Sequence, residues 1–270
     1  MSLVDTHCHI QSAGLASGER TTRELWAKNS ELTPDNIISS ATEAGVATMI
    51  CVGCDLEDSR IAVDFVQDRE ECFASIGLHP HEAQHFAGES DKLVDFAKLA
   101  DSPKVIAIGE CGLDFYYEHS PKPDQIEVLK FQIELALKHN LPLIFHVRQA
   151  FGDFWPVFDN YKGIRGVLHS YTDSAENLAK AMDRGLYVGV NGIATFAKGE
   201  ALMSVYKNLP LEKLLLETDA PFLTPSPYRG SINEPKRLVA VADFLAKLRG
   251  ESHQDLSNAT SANAKSLFGF

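Results

Sequence analysis

Leu3-Val4-Asp5-Thr6-His7-Cys8-His9-Ile10 sets a carboxylate and two imidazoles at alternate positions, close to the first residue of the chain. The run is short, apolar and β-branched, which predicts a strand. In a strand, residues two apart share a face. Asp5, His7 and His9 then point one way, and Thr6 and Cys8 the other. Imidazole is the commonest borderline ligand for zinc and its first-row neighbours, so H-x-H with an acid behind it predicts part of a metal site. The plainer reading is a polar strand face in water. Further ligands downstream decide between the two.

Histidines, acids and an arginine follow in order, each just past a short apolar run. They are His79 and His81 in Gly77-Leu78-His79-Pro80-His81, then Glu110 and Asp114 in Gly109-Glu110-Cys111-Gly112-Leu113-Asp114. His146 and Arg148 follow in Phe145-His146-Val147-Arg148, His169 in Leu168-His169-Ser170-Tyr171, and Asp219 in Glu217-Thr218-Asp219-Ala220-Pro221.

The elements that must position them are an alternation of strands and helices. After the opening strand, apolar runs predict strands at 46–52, 72–78, 105–109, 143–147, 166–169, 186–190 and 214–217. Amphipathic stretches predict helices at 34–44, 56–66, 91–100, 124–139, 151–161, 175–184, 200–206, 234–248 and 254–266. The first of these helices has Thr33 as N-cap, Pro34 at its first position and Gly45 as its stop. Residues 11–33 read as a long polar loop with at most one helical turn, carrying Gly14, Gly18 and Trp26. Eight apolar strands separated by helices predict a parallel sheet covered by helices. The expected fold is therefore an α/β (β/α)8 TIM barrel, with residues 1–270 as a single domain, near the ~250 residues typical of such barrels. No G-x-G-x-x-G follows the first strand, which removes the main support for a dinucleotide fold. A barrel carries its active site at the C-terminal ends of its strands, and the histidines and acids gather at those ends.

Composition sets further bounds. The formal net charge of −12 is opposite to that of a passive nucleic-acid binder, which carries basic patches. A polyanionic substrate would have to be held locally, by metal ions and a few residues at the mouth. No stretch of about 18 apolar residues is present, so no membrane span is expected. The absence of a basic or apolar leader, with an odd number of scattered cysteines (five), predicts a cytoplasmic, reducing setting without a disulfide framework. Nothing in the sequence calls for an obligate protein partner.

The runs D-T-H-C-H, G-L-H-P-H, G-E-C-G-L-D-F-Y, F-H-V-R, L-H-S-Y and L-L-L-E-T-D-A-P-F-L, with R-G-S-I-N-E-P and the closing N-A-T-S-A-N-A-K-S-L-F-G-F, together resemble the TatD family of metal-dependent deoxyribonucleases in the amidohydrolase superfamily. The resemblance implies two divalent metal ions (Mg, Mn or Zn). It makes His7, His9 and Asp219 ligands of one, His146 and His169 ligands of the other, and Glu110 a bridge between them. It implies a water shared by the metals, with Asp219 as general base and Glu110 and His79 as further catalytic groups. Two divalent ions against two carboxylates leave a surplus of about +2, enough to hold a phosphate in an acidic protein. The expected activity is phosphodiester cleavage in DNA, as a 3′–5′ exonuclease on single strands. The alternative within the superfamily is ester or amide hydrolysis, by an aminoacyl-tRNA deacylase or a small-molecule lactonase. Two departures from the family bear on the substrate: His169-Ser170-Tyr171-Thr172-Asp173 stands where H-C-F-S-G is usual, and the 11–33 loop is longer and more polar.

The remaining residues carry less specific signals. Asp5 either orients a histidine or binds metal directly. His79 either binds a phosphate oxygen or shapes a His-Pro corner. Arg148, on the same strand face as His146, either pairs with phosphate or forms a salt bridge. Asp114, Asn233 and Glu234 are consistent with loop hydrogen bonding and helix capping. Tyr116, Tyr117, Phe151, Trp155 and Tyr171 could stack on bases around the entrance; of these Tyr116 and Tyr171 are the candidates, whereas Phe151 and Trp155 fit a core. Cys51 and Cys54 read as a buried and a loop cysteine.

Overall fold

Strand order follows chain order. The computed structural model describes residues 2–15 and 21–270. Among these, eight parallel strands run β1 (Leu3–Cys8), β2 (Val46–Val52), β3 (Cys72–Ile76), β4 (Val105–Asp114), β5 (Leu143–Arg148), β6 (Gly166–Leu168), β7 (Tyr187–Val190) and β8 (Leu214–Leu216). Helices separate them: α1 (Thr21–Ala27) and α2 (Pro34–Glu43) follow β1, and α3 (Leu56–Val66) follows β2. After β3 to β7 come α4 (Ser90–Lys98), α5 (Lys122–His139), α6 (Phe151–Phe158), α7 (Ala175–Asp183) and α8 (Glu200–Asn208). After β8 come α9 (Leu238–Arg249) and α10 (His253–Phe268). The chain past β8 returns to β1 through a parallel bridge between Cys8 and Ala220. This is the topology of a (β/α)8 barrel, the fold that the alternation predicts.

Local signals account for the element ends. Thr33 Oγ1 accepts from Asn36 N at 3.3 Å and caps α2. Asp55 Oδ1 does the same for Asp58 N at 2.8 Å at the start of α3. In both cases a polar side chain satisfies an N–H that the first helical turn leaves without a partner.

Contacts cluster into two compact units: residues 1–51 with 170–266, and residues 52–169 with 267–270. In the first, β1 pairs with β2 and β7 with β8, and Ile37, Met49, Ile50, Leu215 and Leu245 are fully enclosed. In the second, β3, β4, β5 and β6 pair in sequence around Ile76, Ile108, Phe145 and Phe154. Phe151 and Trp155 belong to that core, as expected. Four of the five cysteines, Cys8, Cys51, Cys72 and Cys111, are buried. Among the described residues, no helix is long and apolar enough to cross a membrane.

Two stretches differ from expectation. β4 continues five residues beyond Gly109, so Glu110 and Asp114 stand on the strand itself. The 11–33 segment holds the seven-residue helix α1, whose Trp26 is buried and donates its indole N–H to His9 O at 3.1 Å. A single large side chain thus anchors the segment to the end of β1. Gly18 lies outside the described residues.

Candidate active site

In the first unit the C-terminal end of β1 meets the loop after β8. His7 and His9 are buried, and their Nε2 atoms stand 3.7 and 3.4 Å from Asp219 Oδ1. Two donors each 2.0–2.1 Å from a tetrahedral ion lie about 3.4 Å apart, so these spacings suit shared ligation. Imidazole nitrogen with carboxylate oxygen is also the right donor chemistry for a first-row divalent ion. The backbone holds this geometry: Asp219 N donates to His7 O and His9 N to Ala220 O, both at 2.8 Å. Asp219 itself takes a left-handed φ of 59°, which Asp tolerates better than most residues.

Asp5 fixes the same loop. Its Oδ1 accepts from Thr218 N at 2.8 Å and from His7 N at 3.3 Å, and its Oδ2 accepts from Thr218 Oγ1 at 2.5 Å. Complete burial pushes its carboxyl up to about 7, and the bonds from Thr218 pull it partly back. Asn233 staples the loop from the other side, donating Nδ2 to Thr218 O at 2.9 Å and Phe222 O at 2.7 Å. Its Oδ1 accepts from Glu234 N at 2.9 Å. Asn233→Ala would strand two carbonyls and an N–H in a buried place. We expect a loss of about 2–3 kcal/mol, seen as a drop of roughly 5–10 °C in a thermal melt.

The second unit gathers the ends of β3, β4 and β5. Glu110 Oε1 is its focus, 2.7 Å from His146 Nδ1, 3.7 Å from His79 Nε2 and 3.9 Å from His169 Nε2. Ligand atoms of His79, Glu110 and His146 all lie within 4.8 Å of one another, again a set suited to a divalent ion. Asp114 Oδ2 lies 3.0 Å from both His81 Nε2 and His146 Nε2. Burial opposes the charged form of His146, but the hydrogen bonds to Asp114 and Glu110 outweigh it and lift the imidazole to about 9. Burial likewise opposes ionisation of Asp114, yet bonds from His146, His81 and Tyr117 N hold its carboxyl well below the usual range. His79 Nδ1 accepts from His81 N at 3.2 Å, which leaves the ring proton on Nε2. Burial depresses its pKa, so His79 is a neutral donor facing Glu110.

Arg148 extends β5 into solvent. Its guanidinium lies 4.1 Å over the ring of Tyr116 and 4.7 Å over that of Tyr117, and no carboxylate among the described residues pairs with it. Tyr116 is 52% exposed, as a contact residue must be. Tyr171 is not. It is 3% exposed and donates its hydroxyl to Ser174 O at 2.6 Å, so the stacking role expected for it is corrected to a structural one. The aromatic residue after His169-Ser170 turns inward because Tyr171 N bonds Gly189 O on β7.

Three participants went unassigned from sequence. His81 was visible as the second member of another H-x-H, His79-Pro80-His81. Asp114 orients two histidines where a loop role was expected. Thr218 takes the attention of Asp5, a pairing across 213 residues that no local pattern announces.

Comparison with known proteins identifies the family. The family model "TatD related DNase" matches residues 4–269. The chain is 34% identical over 268 residues to the uncharacterized metal-dependent hydrolase YabD of Bacillus subtilis, covering 98% of each chain. It is 36% identical over 245 residues to the 3′-5′ ssDNA/RNA exonuclease TatD of Citrobacter koseri, covering 87% of this chain and 92% of that one. The crystal structure of YJJV, a TatD homolog from Escherichia coli, superposes with a TM-score of 0.83 at 25% identity, covering 99% and 98% of the two chains. Matched from its first strand to its last helix, the chain belongs to the TatD family of metal-dependent hydrolases.

Proposed function

We propose that the chain cleaves phosphodiester bonds in single-stranded DNA from the 3′ end, with two divalent metal ions. One observation carries the reading. Arg148 presents an exposed guanidinium without a carboxylate partner among the described residues, two positions from His146 on β5 and resting on Tyr116. A cation beside metal-binding donors suits a substrate that is negatively charged before, during and after the reaction. The name of the Citrobacter koseri relative supports the same substrate class.

In this reading His7, His9 and Asp219 would hold one ion, and Glu110, His146 and His169 would hold the other. When bound, the ions supply Lewis acidity and a water acidified towards neutrality. The Asp219 carboxylate would accept a proton from the attacking water, and Arg148 would bind a phosphate oxygen through paired N–H donors. His79 offers its Nε2–H to another phosphate oxygen. His146 is engaged at both ring nitrogens by Glu110 and Asp114, so its ligation means releasing one of them.

The test is a panel of single- and double-stranded DNA, RNA, aminoacyl-tRNA and lactones, each with Mg, Mn and Zn. Single-stranded DNA is expected to be cleaved fastest. Arg148→Ala should lower kcat/KM on DNA at least about tenfold, ~1.4 kcal/mol, and leave any carbonyl hydrolysis intact, since a neutral ester lacks the charge that Arg148 answers. Turnover confined to lactones or aminoacyl esters would overturn the proposal in favour of a carbonyl hydrolase.

A further inference from the structure

The segment between β4 and α5 puts three rings in a row into solvent. Tyr116 and Tyr117 are 52% and 51% exposed, and His119 is exposed as well. The rings of Tyr117 and His119 stack, 5.6 Å between centroids and 16° between planes. His81 closes the row edge-on against both, at 5.6 Å and 4.6 Å. Such rings on a mobile loop would mean little. Here the backbone beneath them is tied down by buried polar groups. Asp114 Oδ1 accepts from Tyr116 N and Tyr117 N at 2.9 and 3.0 Å. Ser120 Oγ donates to His81 O at 2.7 Å and accepts from Gln84 N at 3.1 Å. Gln125 Nε2 donates to Asp114 O and Ser120 O, and its Oε1 accepts from Asp114 N. Asp114, Ser120 and Gln125 are all buried. Exposed rings on a rigid mount lose little freedom when something settles on them, which is the economy of a binding surface.

The mount also sets position. Asp114 turns Oδ1 to the ring-bearing backbone and Oδ2 to His81 and His146, so one carboxylate registers the rings against the reacting end of β5. Arg148 lies with its guanidinium 4.1 Å over the ring of Tyr116 and 4.7 Å over that of Tyr117. A phosphate held by Arg148 leaves its nucleoside within reach of the neighbouring rings. Resting on the phosphodiester reading above, we propose that Tyr117 and His119 form a stacking seat for the base of the terminal nucleotide. The seat takes a π-face and no particular hydrogen-bonding edge, so it demands a base while tolerating any of the four. Tyr171, buried, has no part in it.

Steady-state kinetics on two single-stranded oligonucleotides tests this, one intact and one with an abasic tetrahydrofuran unit at its 3′ end. For the wild type, KM should be about tenfold higher on the abasic strand, with kcat little changed. Tyr117→Ala and His119→Ala should raise KM on the intact strand by about the same factor and add little on the abasic one, because both changes remove one interaction. Tyr117→Phe, which keeps the ring, should recover most of the loss. Equal losses on both strands for Tyr117→Ala, or an unchanged KM on the intact strand, would overturn the seat and leave phosphodiester cleavage standing. Failure of the wild type to cleave either strand would overturn the phosphodiester reading and the seat with it.

Discussion

Glu110→Gln should lower kcat/KM at least about a hundredfold and release metal, while the melting temperature holds. The expectation rests on how many groups converge on one oxygen. Glu110 Oε1 has His146 at 2.7 Å and His79 and His169 within 3.9 Å, in a buried place. Glutamine keeps the volume and can still accept from His146, so the packing survives. It lacks the charge, and a neutral amide oxygen is a poor ligand for a divalent cation. The change also takes away one of the two carboxylates that hold His146 charged. Metal content by elemental analysis, kcat/KM on the best substrate of the panel and a thermal melt would be read together. Retained metal with unimpaired turnover would remove Glu110 from the proposed ligand set. A collapsed melt would make it a structural residue instead.

Much of the fold was legible because its signals are local. β2 and α3 have the bounds expected from an apolar run and from an amphipathic stretch. The β4 boundary was not legible, and the reason is instructive. The strand was expected to end at Gly109, yet Gly109 and Gly112 are both sites where β5 approaches the backbone of β4 too closely for a side chain. The register also slips between Ile108 and Cys111, three residues of β4 against two of β5. Bulges of this kind re-aim side chains near functional sites, and a two-residue alternation cannot foresee them. A similar slip between Asp5 and Cys8 qualifies the simple alternation of β1. His7 and His9 both lie against Asp219, whereas Asp5 turns to Thr218.

The site was legible where a residue type announces its chemistry. Histidines and acids at strand ends were found in this way. Side-chain burial could not be read from them: Tyr116 and Tyr171 look alike in sequence, and only the backbone bond from Tyr171 to Gly189 sends one inward. Asn233 likewise looked like a helix cap. It turned out to brace the peptide on which Asp219 sits, because its partners, Thr218 and Phe222, lie 15 and 11 residues back.

Gly112→Ala should cost more than about 3 kcal/mol, a large share of the 5–15 kcal/mol that holds a typical domain together. Two independent effects add. Gly112 has φ 151°, a region that L side chains rarely adopt. A Cβ built there would sit 1.8 Å from His146 O and 2.8 Å from His146 C, both backbone atoms of the paired strand. No rotamer change relieves such a collision. The strands must separate where Gly112 pairs with His146, and the residue displaced is a proposed metal ligand. Gly152→Ala is the control, since its Cβ meets nothing within 4 Å and it lies in α6, where alanine is the better helix former. We expect Gly112→Ala to melt at least about 10 °C lower or to be insoluble, and Gly152→Ala to melt at or slightly above the parent. Equal melting of the two variants would show that β4 can yield at Gly112, and that the close approach of His146 is not what reserves the position for glycine.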